Sequence, residues 1–235
     1  PIPTAGVALG LAALGNLLQP YTEIVHIVCG ILSLVLIAML GAKIALFPAL
    51  IRDDLKNSIL ASVSATLFMT LMQLATYLAP LAWHPAFALW AASVAGHLCL
   101  MVWFTARFIV HFKLSEVFPT YFICYVGIIV ASVTCPSFGM QPVGRALFWF
   151  GFACYVVLLG LVTYRYMKHE IPESARPLFC IYTAPMSLSL AGYLACMPQT
   201  NAAFVAVLLV LAQILLVVVL ARLPLFMRLR FYPSF

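Results

Sequence analysis

Charge is what this sequence has least of. Only 8% of its 235 residues are Asp, Glu, Lys or Arg, against 66% hydrophobic positions, whereas about a quarter of a soluble domain is charged. That scarcity excludes a water-soluble globule. Carboxylates are fewest: Glu23, Asp53, Asp54, Glu116, Glu170 and Glu173 are all there are, and none lies in the middle of an apolar run. Holding a charge inside a bilayer is costly and marks a proton relay or cation path. Their placement therefore argues against a carboxylate-relay pump and against a cation channel. Paired cysteines are also lacking. Cys29, Cys99, Cys124, Cys135, Cys154, Cys180 and Cys196 stand singly, with no CxxC and no His at ligand spacing, so they read as small core residues and not as a metal site. With no Ser/His/Asp set, HExxH or phosphate loop, neither an enzyme nor a cofactor is expected.

What the sequence has instead is one apolar run after another, most of them near the roughly 20 residues a membrane-spanning helix needs. Eight spans are read, at 4–18, 22–46, 57–78, 85–110, 118–136, 142–167, 177–196 and 201–222, with a ninth beginning after them. Polar and proline-containing turns separate them, such as Gln19-Pro20-Tyr21 and Met197-Pro198-Gln199. The fold class is an all-α polytopic membrane protein. It is read as a single transmembrane domain over 1–235, with hairpins at about 1–50, 51–113, 114–170 and 171–230.

The formal charge of +6 would suit nucleic acid, but the basic residues sit at the ends of spans and report topology. Lys43, Arg52 and Lys56 lie around the link between spans two and three, Arg107 and Lys113 around the end of span four, Arg165, Lys168 and Arg176 around the end of span six, and Arg222, Arg228 and Arg230 around the end of span eight. Arg145 alone lies on the other side. The positive-inside rule then places those links and the N-terminus in the cytoplasm of a cell (inner) membrane. Basic residues closing the even spans recur roughly every 60 residues, which makes the helical hairpin the repeat unit.

Composition separates the two arms of each hairpin. Even-numbered spans are bulky and featureless, as in Val205 to Leu220, VAVLLVLAQILLVVVL, and should face lipid. Odd-numbered spans carry small or polar stripes at helical spacing. The first is rich in Gly and Ala, with Gly6, Gly10 and Ala13; Gly6 and Gly10 form a GxxxG pair, which also suits close packing. The third has Ser62, Thr66 and Gln73, the fifth Cys124, Gly127, Ala131 and Thr134, and the seventh Pro185, Ser189 and Gly192. A ring of such helices around a pore, with the even helices outside, is the expected arrangement. A solid bundle with closely packed inner helices is the alternative.

A neutral lining with a basic cytoplasmic rim favours anions by electrostatic focusing. Arg52, Lys56, Arg107, Lys113, Arg165, Lys168 and Arg222 are the candidate rim. Pro185 within span seven should interrupt the helix and expose backbone groups that an anion can meet. His97 is the one histidine well inside a span, and a packed, hydrogen-bonded role is the simpler reading of it.

Three stretches carry a family resemblance: PIPTAGVALGLAALGNLL at the start, HPAFALWAASVAGHL in span four and ARPLFCIYTAPMSLSLAGYLA in span seven. They resemble the tellurite-resistance/dicarboxylate transporter family, which is related to the slow anion channels of plant guard cells. The resemblance implies ten helices as five hairpins around a central pore, assembled as homotrimers, and an occluding phenylalanine on helix nine. Phe231 to Phe235 would be only the start of that helix. On this reading the chain is part of a longer protein that supplies a fifth hairpin. The expected function is an anion-selective channel or facilitator passing small inorganic or organic anions. Its nearest alternative is a secondary carrier for C4-dicarboxylates, sulfite or tellurite-type oxyanions. An intramembrane enzyme or sensor centred on His97 remains open beside them.

Overall fold

In the computed structural model, residues 2–110 and 112–229 are described, and every regular element among them is helical. The expected start of a ninth span at Phe231 to Phe235 lies outside these residues, as does Arg230. The chain divides into two compact units. One runs to Val110 and takes in Ser137–Gly139, and the other takes in the remaining described residues.

The first unit holds α1 (Thr4–Leu18), α2 (Glu23–Leu46), α3 (Pro48–Asp54), α4 (Ser58–Val63), α5 (Ala65–Leu78) and α6 (Trp83–Phe104). A π-helical turn at Thr105–Ile109 extends α6. These apolar runs become helices because hydrocarbon offers the backbone no hydrogen-bond partner except itself. Punctuation is local: Pro48 opens α3, where its missing N–H costs nothing. The Asn57 side chain caps α4 by accepting from the Ile59 and Leu60 amides.

Within this unit α1 packs against α2 and α5, and α5 against α6. The contact stripe of α1 is Ala5, Ala8, Ala12 and Gly15, all buried. Three hydroxyls bond to carbonyls along it: Thr70 to Ala5 at 3.1 Å, Ser33 to Ala8 at 2.8 Å and Tyr77 to Ala12 at 2.7 Å. Close approach is what Gly30 supplies here, since a Cβ there would lie 2.6 Å from the Tyr77 ring. That ring in turn stacks on His26 at 4.0 Å.

The second unit holds α7 (Tyr121–Tyr125), α8 (Ile129–Thr134), α9 (Gln141–Lys168), α10 (Ala184–Cys196) and α11 (Ala202–Phe226). An eleven-residue 3₁₀ segment, Glu173–Thr183, precedes α10. Just before α9 in the chain, Gly139, which is grouped with the first unit, takes φ +68°, a conformation that favours glycine. Within the second unit α8 packs against α9 and α10, and α10 against α11. Ser132 donates to the Gly144 carbonyl at 2.7 Å, tying α8 to α9.

Six helical stretches are long and apolar enough to cross a membrane: Glu23–Leu46, Ser58–Leu78, Trp83–Ile109, Gln141–Lys168, Glu173–Cys196 and Ala202–Phe226. Thr4–Leu18 and Ile129–Phe138 are shorter apolar helices. Together these match the eight expected spans in order, with limits shifted by a few residues at most except in the fifth span.

Candidate functional site

The fifth span is not the continuous helix its hydropathy predicts. It breaks at residues 126–128, between α7 and α8. Around the break the Gly127 amide reaches back to the Phe122 carbonyl at 3.2 Å, while Ile129, Val130 and Ala131 bond three residues back, to Val126, Gly127 and Ile128. The third span is likewise interrupted at Ser64, between α4 and α5. In the seventh, the 3₁₀ segment gives way to α10 with Pro185 in its first turn. Of the other spans, the first, second, sixth and eighth are each one continuous α-helix, and the fourth runs unbroken to Phe104 before passing into the π-helical turn at Thr105–Ile109. Irregular backbone at membrane depth survives only where protein buries it or a cavity wets it.

Burial follows the same alternation. In the third and seventh spans 50% and 39% of the most apolar stretch is buried, against 28%, 33%, 28% and 17% in the second, fourth, sixth and eighth. From Pro177 to Cys196, and throughout the described first, third and fifth spans, there is no Asp, Glu, Lys, Arg or His.

The candidate lining residues occupy two kinds of position. Gly10 is exposed and Ala13 half-buried, on the side of α1 away from its contact stripe. A Cβ added at Gly6 or Gly10 meets nothing within 4 Å, so this GxxxG pair is not a packing seam among the described residues. Ser62, Thr66, Gln73, Cys124, Gly127, Ala131, Thr134, Pro185, Ser189 and Gly192 are buried. At Gly192 a Cβ would run into the Ile129 side chain, which makes this residue a close contact between α10 and α8.

The hydroxyls among them are turned onto backbone carbonyls of their own spans, that of Thr66 reaching across the Ser64 break. Ser62 donates to the Ser58 and Ile59 carbonyls, Thr66 to Val63 at 2.7 Å, Thr134 to Val130 at 2.8 Å and Ser189 to Pro185 at 2.7 Å. Gln73 is different. Its amide oxygen accepts from Asn16 at 2.6 Å, and Asn16 also donates to Thr76 at 3.0 Å. Asn16 was not among the expected lining residues, although an amide in a run of Gly and Ala is the visible signal for it.

The basic residues differ more than their sequence positions imply. Arg52, Arg107, Lys168 and Arg222 are exposed. Lys56 and Lys113 are exposed but paired, with Asp53 at 2.7 Å and Glu116 at 3.1 Å. Arg165 is 2% exposed. Its guanidinium donates to the carbonyls of His169, Glu170 and Ser115 at 3.4, 3.2 and 3.1 Å and lies 4.9 Å from the Phe118 ring centroid. It therefore ties the end of α9 to the segment before α7. Exposed rim it is not.

Three uncharged odd-numbered spans, the third, fifth and seventh, are thus interrupted within their buried stretches. A family model for SLAC1, voltage-dependent anion channel, matches residues 2–235. The chain belongs to the SLAC1 anion-channel family. No curated protein matches it. Membership in the SLAC1 family places the chain among multi-pass membrane proteins of anion transport, in keeping with the resemblance carried by its first, fourth and seventh spans.

Proposed function

We propose that the protein is an anion-selective channel or facilitator, moving small anions passively along a path bordered by its odd-numbered spans. The observation that carries this reading is the coincidence, in the third, fifth and seventh spans, of interrupted backbone with an absence of Asp, Glu, Lys, Arg and His. Broken helices offer backbone dipoles to an anion. The missing carboxylates leave no proton relay to drive a pump. Hydroxyls already committed to carbonyls of their own spans bind weakly, and weak binding lets an ion leave again.

In this proposal Gly10, Ala13, Ser62, Thr66, Gln73, Cys124, Gly127, Ala131, Thr134, Pro185 and Ser189 border the path. The exposed residues Arg52, Lys56, Arg107, Lys113, Lys168 and Arg222 raise the local anion concentration at the cytoplasmic end. The working unit is a homotrimer in the inner membrane with its N-terminus in the cytoplasm.

Gly10→Leu tests the path, because position 10 has open space for a side chain and the variant should fold. In liposomes under a chloride or nitrate gradient, the full-length wild type should pass anions without a proton gradient. Gly10→Leu should slow that flux at least about tenfold, or ~1.4 kcal/mol of barrier. Unchanged flux removes α1 from the path. Flux that needs a proton gradient replaces the channel with a coupled carrier for dicarboxylates or oxyanions.

A further inference from the structure

In the second unit a cleft of about 830 Å³ opens between the end of α9, the 3₁₀ segment and the last turns of α11. Each of these elements contributes one cation: Lys168, Arg176 and Arg222. Among the described residues Glu170 is the one carboxylate in the lining, beside the His169 and Tyr166 rings, and none of the three cations is ion-paired. The Arg222 guanidinium lies 5.6 Å from the Phe179 ring centroid, which steadies it against the cleft wall. Tyr166, also in the lining, has a buried hydroxyl with no hydrogen-bond partner. Phe226, Leu225 and Leu229 complete an apolar side.

We propose that this cleft holds a phosphate group, carried by an anionic phospholipid. Three cations converging from separate elements against one carboxylate call for an anion, and guanidinium forks match phosphate oxygens in pairs. The cleft is far larger than chloride or nitrate needs and within the range of sites for organic ligands. Its apolar side continues onto α11, the most hydropathic span, where only 17% of the most apolar stretch is buried. A headgroup in the cleft leaves its acyl chains along that helix, as basic pockets at the cytoplasmic ends of transmembrane helices do. With a phosphate bound, Lys168 and Arg222 are neutralised and drop out of the rim proposed above, which Arg52, Arg107, Lys56 and Lys113 still supply. The site stands independently of conduction.

The test is thermal unfolding of the full-length protein in neutral detergent, supplemented with phosphatidylglycerol, with phosphatidylcholine, or with inorganic phosphate at matched ionic strength. Phosphatidylglycerol should stabilise the wild type, with an apparent affinity at least tenfold above that of an Arg176→Gln/Arg222→Gln variant. Phosphatidylcholine should stabilise neither. Inorganic phosphate matching the lipid's effect on the wild type keeps the phosphate site and overturns the lipid as its source. An equal phosphatidylglycerol response in both proteins, or an equal loss in an Arg52→Gln control, overturns the site altogether. Should the double variant not fold, Arg176→Gln alone, whose side chain is exposed, gives the same readout, with native mass spectrometry counting retained phosphatidylglycerol.

Discussion

Arg165 shows how far a side chain's surroundings change what its charge does. Its place after an apolar run marks a span end, and that inference stands. Burial against Phe118, with the guanidinium spread over three backbone carbonyls, turns the same charge into a clasp between α9 and the segment before α7. Lysine keeps the charge but lacks the planar fork. Arg165→Lys should therefore cost about 1–3 kcal/mol, the penalty for stranding buried carbonyls, as a lowered unfolding midpoint in detergent. Anion flux through protein that still folds should be unchanged. A loss of flux with no loss of stability would return Arg165 to the rim.

Among the helices, the alternation of odd and even spans was legible because it lives in composition: small and polar residues against Leu, Val and Ile. Of the interruptions only the one at Pro185 was; those at Ser64 and at residues 126–128 were not. Nothing in Tyr125-Val126-Gly127-Ile128 separates a broken span from a helix containing one glycine, and β-branched neighbours are common in both. Packing also sorted residues that look alike. Gly10 and Gly192 are both small positions on odd spans, yet one faces open space and the other meets Ile129. Gly192→Ala should cost about 1–3 kcal/mol by overpacking, because a β-branched isoleucine on a helix has little rotamer freedom to yield. Pairing it with Ile129→Ala should recover part of that loss, measured as coupling in a double-mutant cycle. Additive losses would mean that the two helices do not meet as closely as this geometry requires.

For the chain in its membrane, orientation is the property that basic residues set most directly. Eleven of the twelve Lys and Arg fall on one set of links, and moving such clusters across a bilayer is what the positive-inside bias prevents. A fluorescent reporter fused after Lys56 should fold in the cytoplasm, and a phosphatase fused after Pro80 should be active outside it. The reverse pattern would invert the proposed entry face for anions.

Hydropathy and charge were sufficient for the number and order of the described spans, the helical class and the contrast between the arms of each hairpin. These depend on solvent, and each residue reports its preference for lipid or water wherever it lies in the chain. The break in span five, the clasp made by Arg165, the open side of α1 and the joining of Lys168, Arg176 and Arg222 around one cleft came from packing. Each depends on which distant side chain or carbonyl fills the adjoining space, and a linear pattern of apolar residues carries no record of that neighbour.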